Sequence, residues 1–355
     1  MDTIISEKTL RGFMERVFVR EGFEVADAKA IADVLMQADL FGIESHGAQR
    51  MMYYHQNIAS GSVDTQAKIE TVRETPVSAL LDAHFAMGQL SGVRAMQMAI
   101  DKAKKTGIGM VCVRNSSHYG IAGYYPLMAA REGLCAFSMT NTGPIMVPTF
   151  GREMMLGTNP IAFCMPADPV PFWFDASTTV VTLGKVEVHA KREKPMPEGW
   201  TIGADGAIET DAKKMNASIL AGGMGGILPL GGAGETHSGH KGYGLAIMVE
   251  ALTGVLAQGL MSPEMQGAHG DHTSHFFMAF DPGMFGEPEA IRAQMSRYLQ
   301  MLRDSERLPG EKRIYTPGEK AFEAMQRRME TGIPVEEKTL AELRKIAEEL
   351  GIEAL

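Results

Sequence analysis

Hydrophobic positions change texture along the chain. Near the start, Leu10, Phe13, Met14, Val17 and Phe18 recur at i, i+3, i+4, i+7 and i+8, the stripe of one amphipathic helix, with Ser6 placed to cap it. A second helix is predicted from about Asp27 to Leu40, with Ile31, Val34 and Leu35 inward, and a third from about Gln49 to Ile58; the loop signal FGIESHG separates them. From about residue 75 the period shortens. SALLDA, IGMVCV, LCAFSMTN, IAFCMPA, PFWFDAS and FFMAF read as strands, while GVRAMQMAIDKAKKTG, IAGYYPLMAAREG and YGLAIMVEALTGVLAQG read as helices, the first stopped by Gly107. The stretch 186–220 is polar and predicted irregular. The tail returns to helical spacing in EKAFEAMQRRMETG and in a last helix with Leu340, Leu343, Ile346 and Leu350 on one side. Strands alternating with helices predict an α/β layer, and helices at both ends predict a second lobe around it, 1–75 with 305–355 against 76–304.

At 355 residues the chain has room for about two such units. Hydrophobic residues make up 45% and charged residues 22%, a globular balance that excludes disorder and rod-like coiled coil. A net charge of −9 argues against nucleic acid as a partner. No run of apolar residues is long enough for a membrane span, and MDTIISEKTLRGFMERVF carries early acids and no apolar core of a signal peptide. Cys112, Cys135 and Cys164 each sit in an apolar run and read as buried, reduced thiols, which fits a reducing, cytoplasmic setting.

Familiar chemistry motifs are missing. There is no G-x-G-x-x-G (GGAG at 231–234 fails at His237), no G-x-x-x-x-G-K-[ST], no H-E-x-x-H and no G-x-S-x-G. Five constellations remain. ESHGAQRMMYYHQ gathers Glu44, Ser45, His46, Arg50, Tyr53 and Tyr54; with a helix starting near residue 48, Arg50 and Tyr54 share a face, a mix suited to a small carboxylate or equally to a capped surface helix. VRNSSHYGIAGYY places His118 after a strand, where an imidazole could serve as acid and base or simply be structural. The turns TNTGP and GTNP carry amides and hydroxyls, PLGGAGETHSGHKGYG leads into a long helix, and HGDHTSH spaces His269, His272 and His275 as a possible metal cluster or a solvated loop.

In order along the chain, Ser45-His46-Gly47 with Arg50 and Tyr54, Asn115-Ser116-Ser117-His118-Tyr119-Gly120 with Gly123-Tyr124-Tyr125, Thr140-Asn141-Thr142, Leu156-Gly157-Thr158-Asn159-Pro160, Gly184-Lys185 and Lys241-Gly242-Tyr243-Gly244-Leu245 resemble the malate/L-lactate dehydrogenase family that lacks a Rossmann fold. That family includes ureidoglycolate and sulfolactate dehydrogenases and Δ1-piperideine-2-carboxylate reductases. The resemblance implies a non-Rossmann mixed sheet as the NAD(P)-binding α/β domain, a helical substrate lobe, and a homodimer with the site near the subunit interface. It implies hydride transfer between the nicotinamide of NAD or NADP and C2 of a small 2-hydroxy or 2-oxo carboxylate, malate or a lactate-like acid first.

Carried over by residue, the resemblance makes His118 the proton-transfer group, with Ser45, His46, Arg50 and Tyr54 positioning the acid. It places Asn141, Thr142, Thr158, Asn159, Asp175, Ala176, Ser177 and Lys185 at the cofactor, with Gly318 and Glu319 closing over it, and assigns no metal. An imidazole with pKa near 7 is expected at His118. His237, His240, Arg152 and Lys241 are cationic candidates for a second acidic group. Two departures stand out: Phe150 in Thr149-Phe150-Gly151-Arg152-Glu153, where the family pairs glycines, and Asp175-Ala176-Ser177-Thr178-Thr179 in place of Asp-Met-Ala-Thr-Ser. Two other classes stay open: a metal-dependent lyase or hydrolase built on His269–His275, and a catalytically silent binding protein.

Overall fold

In the computed structural model, which describes residues 2–266 and 272–355, the two chain ends are stitched together. Strand β1 (Thr3–Ile5) leads into α1 (Glu7–Arg20), where Ser6 accepts the Thr9 N–H at 3.1 Å and all five stripe residues are buried. Helix α2 (Val25–Leu40) follows, then two 3₁₀ turns at Glu44–His46 and Ala48–Arg50, then α3 (Met51–Ala59).

Strands β2 (Glu70–Glu74) and β3 (Ser78–Asp82), helix α4 (Gly88–Thr106), β4 (Ile108–Ser116), α5 (Tyr124–Arg131), β5 (Cys135–Thr140), β6 (Ile161–Met165) and β7 (Phe172–Ala176) come next. Gly107 ends α4 at φ +88°, a left-handed cap that glycine adopts at no steric cost.

The segment expected to be irregular instead folds two helices, α6 (Leu183–Lys191) and α7 (Ala212–Leu220), with a two-stranded ribbon of β8 (Thr201–Ile202) and β9 (Gly226–Ile227). Ala212, Met215 and Ile219 at i, i+3 and i+7 seat α7 on a small core with Val186, Met196 and Ile227, and Asp211 caps it at Lys214 N. Helix α8 (Gly239–Glu250) starts four residues before the predicted apolar helix and widens into a π turn at Ala251–Val255. Strand β10 (Thr273–Phe280) is followed by α9 (Pro288–Arg303), a helix with no counterpart in the sequence reading, then α10 (Glu319–Thr331), β11 (Ile333–Val335) and α11 (Glu337–Leu350).

Seven strands form one mixed sheet in the order β2-β3-β4-β10-β5-β6-β7. Only β3 and β4 run parallel, joined by α4; every other pair is antiparallel. This is not the parallel doubly wound sheet that a G-x-G-x-x-G fingerprint serves, so the fingerprint's absence is structurally coherent. Strand β10 lies in the middle, which explains its continuous apolar run. One face packs on α4 and α5 through Met96, Ile100, Tyr125 and Phe277; the other meets Val249 and Ala257 through Cys112, Met139 and Phe276. A separate core unites both chain ends, with Phe13, Ile31, Leu35, Met51 and Tyr54 against Ile333, Leu340, Leu343 and Ile346. All three cysteines are buried and unpaired, and burial pushes their thiols up to about 11 for Cys112 and Cys135 and about 12 for Cys164, the opposite of a reactive thiolate.

Candidate active site

The loop between α2 and α3 and the segment after β4 meet to make a cluster of aromatic, imidazole and guanidinium groups. In the loop, Ser45 Oγ lies 2.8 Å from His46 Nδ1, and Arg50 Nε donates to the Ser45 carbonyl at 3.1 Å. Arg50 was expected to share a helical face with Tyr54. Instead α3 begins only at Met51, so Arg50 belongs to the tighter 3₁₀ turn, and its guanidinium lies 5.4 Å from the centre of the Tyr53 ring.

His118 follows β4 directly. Its Nδ1 is 2.6 Å from the Tyr54 hydroxyl, and the Gly120 N–H points to the same nitrogen at 3.4 Å. Its ring stacks on His46, with centroids 5.5 Å apart and planes 29° apart, and meets Tyr53 edge-on at 6.0 Å. Burial, then the neighbouring His46 and Arg50, holds His118 well below the usual histidine range. His46 is lowered to about 4 by burial and by Arg50. The expected pKa near 7 for His118 is therefore corrected: both imidazoles are neutral at pH 7, and Arg50 carries the positive charge of the pocket.

Gly120 to Gly123 lead from His118 into α5 and are gripped from β7. Asp175 Oδ2 accepts the Gly123 N–H at 2.7 Å, and Trp173 Nε1 donates to the Gly123 carbonyl at 2.8 Å. A Cβ on Gly123 would overlap the Trp173 ring, so the position admits only glycine. Burial raises Asp175 to about 6 against the lowering effect of that N–H.

A second polar cluster joins the turns after β5 and before β6. Thr142 Oγ1 accepts the Thr158 N–H at 3.0 Å, Asn159 Oδ1 accepts the Thr142 N–H at 3.3 Å, and the Thr158 carbonyl accepts Thr178 N–H at 2.9 Å. Beneath them lies Glu250 of α8, which accepts from Asn159 Nδ2 at 2.9 Å, from Asn141 Nδ2 at 3.2 Å and from the Ser262 hydroxyl.

Set beside known proteins, residues 5–344 match the malate/L-lactate dehydrogenase family. The chain belongs to that family. It is 44% identical over 353 residues to a protein named malate dehydrogenase from Pyrococcus horikoshii, a match covering 99% of this chain and 96% of that one. It is 33% identical over 359 residues to a malate/(S)-sulfolactate dehydrogenase from Methanothermus fervidus, covering 99% of each. The structure of a malate dehydrogenase from Entamoeba histolytica superposes with a TM-score of 0.96 at 33% identity, covering 99% of each chain.

Within this dehydrogenase, Ser45, His46, Arg50, Tyr54 and His118 are brought into one cluster. Asn141, Thr142, Thr158 and Asn159 are brought into another cluster, in which the two asparagine side chains are fully buried and turned onto Glu250. Ala176 and Ser177 continue from Asp175, and Ser177 Oγ lies 3.0 Å from Thr179 Oγ1. Lys185 is exposed on the first turn of α6. Gly318, at φ +98°, abuts Trp173, and Glu319 is buried, clamped by Arg303 at 2.7 Å and Arg313 at 3.2 Å, so its carboxylate braces the chain instead of reaching out to a cofactor. Arg152 donates to the Ala204 carbonyl at 2.9 Å, and His237, His240 and Lys241 are exposed around the start of α8.

Of the histidine cluster, His269 lies outside the described residues. His275 is fully buried in β10, with Nδ1 2.8 Å from Thr140 Oγ1 and Nε2 2.8 Å from Ser116 Oγ, and it stacks on Tyr119 at 4.4 Å. Both its nitrogens are occupied, which removes it from the metal reading. Burial lowers it to about 3, so it is neutral. Sequence reasoning missed Glu250, whose acidic side chain in the middle of an apolar helix was the available signal. It also missed Asp39, buried at the end of α2.

Proposed function

We propose that the chain oxidises and reduces a small 2-hydroxy/2-oxo acid at C2 with NAD or NADP, with malate/oxaloacetate as the leading pair. The observation that carries this reading is the Tyr54–His118 contact beside Arg50: one imidazole, oriented through Nδ1, next to one guanidinium. With Nδ1 assigned to Tyr54, the proton exchanged with substrate is assigned to Nε2. Arg50, steadied through Nε by the Ser45 carbonyl, offers its terminal nitrogens as a fork to the C1 carboxylate. Tyr54, expected among the substrate-positioning groups, is reassigned: its hydroxyl, buried, orients His118.

The residues at the paired turns suit a nicotinamide nucleotide. Thr142 and Thr158 are half-buried hydroxyls on tight turns, and Gly157, with no room for a Cβ against Thr142 and Asn159, lets the two turns close on each other. When bound, that nucleotide takes up or returns the C2 hydrogen as hydride with its two electrons. In the oxidising direction neutral His118, its own proton on Nδ1 and donated to the Tyr54 hydroxyl (the Gly120 N–H, at 3.4 Å, is too long to compete), accepts the C2 hydroxyl proton at Nε2 as the C2–H bond breaks and the C2–O double bond forms. In the reducing direction His118 returns that proton to the carbonyl oxygen. Burial first, then His46 and Arg50, depress His118 in the free protein; a substrate carboxylate seated on Arg50 offsets the Arg50 contribution and so shifts the imidazole upward.

A second copy of the chain completes the proposal. Leu245, Ile247, Met248, Val255 and Leu256 are exposed along α8 and its π turn, an apolar face of the kind homodimers cover. Initial rates with NADH and NADPH against oxaloacetate, pyruvate, sulfopyruvate and the cyclic imine test the chemistry; oxaloacetate giving the highest kcat/KM supports the malate reading, and sulfopyruvate doing so transfers it to sulfolactate. Light scattering at the mass of two chains supports the dimer.

A further inference from the structure

We infer that Asp39 is the positioning residue that sets the loop 44–50 for hydride transfer, acting through Gly47 and Ala48. The inference rests on the dehydrogenase reading above. Asp39 sits at the end of α2 and is 2% exposed. A carboxylate so buried is costly unless its oxygens are satisfied. Its Oδ2 accepts the Ala48 N–H at 2.8 Å, and the Gly47 backbone lies flat against the carboxylate, so that a Cβ on Gly47 would overlap it.

The far end of the loop is tied from another element. Arg328 of α10 donates to the Asp39 carbonyl and pairs with the Glu44 carboxylate. Between these two ties lie Ser45 and His46, and Arg50 follows two residues after Ala48. Of residues 44–50 only Gly47 and Ala48 are buried, so apolar packing does little to fix this loop. The carboxylate supplies the register that packing does not, and an error of about 1 Å at Arg50 or His46 is enough to lose productive alignment.

The test is steady-state kinetics of wild type, Asp39→Ala, Asp39→Asn and Gly47→Ala with the 2-oxo acid the wild type turns over. Cofactor Kd from NADH or NADPH fluorescence and hydrogen exchange over residues 44–50 are measured alongside. In Asp39→Ala the KM for the acid rises by about 10-fold or more and kcat/KM falls by roughly 100-fold, with cofactor Kd within about 2-fold. Asp39→Asn keeps an acceptor for Ala48 N–H and restores most of the loss. Gly47→Ala, with Asp39 intact, reproduces the KM defect, and it decides the matter if Asp39→Ala does not fold. A normal KM in Gly47→Ala, or unchanged exchange of the loop in Asp39→Ala, overturns the inference. Absence of turnover in the wild type overturns the dehydrogenase reading instead, and loop exchange still judges Asp39.

Discussion

The pocket around His118 and the knot around Glu250 are built from similar polar residues and do opposite things with them. In the knot, Asn141, Asn159 and Ser262 turn their donors onto one carboxylate and satisfy each other. Around His118, by contrast, Arg50 and two depressed imidazoles are gathered with the Ser45 hydroxyl and carbonyl and the Tyr54 hydroxyl among their partners. The knot spends polarity on holding two turns together; the pocket holds a positive charge and neutral bases ready for an anionic substrate. A motif residue is therefore not a ligand-binding residue merely because it belongs to the motif.

Substitutions can break this contrast. His118→Ala is expected to lower kcat by at least about 100-fold with the thermal stability and NAD(P)H affinity of the wild type, as measured by steady-state rates and fluorescence titration. Glu250→Ala should do the reverse: it strands the buried Asn141 and Asn159 amides, and unfolding experiments should show about 3 kcal/mol lost while the folded fraction keeps a near-normal KM for the acid. If that variant instead kept its stability and lost turnover, the two regions would not be separable as described. Arg50→Lys retains charge without the fork, so KM for the acid should rise about 10-fold with a smaller change in kcat.

His275 sharpens the comparison through pH. Its pKa is about 3 in the folded protein against about 6.5 unfolded, so the unfolded chain takes up a proton first as pH falls. The stability it contributes is complete above about pH 6.5 and is lost as pH drops toward 3, at roughly 1.4 kcal/mol per unit. Denaturation of wild type and His275→Gln between about pH 7 and about pH 5 should give curves that converge on the acid side; parallel curves would mean His275 is not held neutral. The smallest effect is expected at Phe150, which is exposed and held at φ +68° where glycine is preferred; Phe150→Gly should be neutral or stabilise by up to about 1 kcal/mol in thermal unfolding.

Much of this was legible where one physical rule acts alone. The stripe of α1, the stop at Gly107 and the central strand β10 follow from period, cap and burial within a few residues of the prediction. Helices α6 and α7 were missed because each buries few residues and the flanking lysines, glutamates and glycines mask the spacing. Helix α9 was missed although Pro288 begins it, since only Leu299 is buried along its length. In the site, residue types and order named residues that come together in the fold, but not who touches whom. Tyr54 and His118 are 64 positions apart, and the pull of burial and Arg50 on the imidazole exists only once the loop and the end of β4 meet. The inward turn of Asn141 and Asn159 likewise depends on Glu250, which no local pattern links to them.

His118 is held neutral in the free enzyme by burial, His46 and Arg50, and an anion that neutralises Arg50 should raise its basicity. Nitrogen NMR of the His118 ring, followed through pH with and without an unreactive dicarboxylate, measures this directly. A ring that stays neutral well below the ordinary histidine range alone and titrates at higher pH in the complex is the predicted result. A ring that titrates near 6.5 in the free protein and does not respond to the dicarboxylate would contradict it.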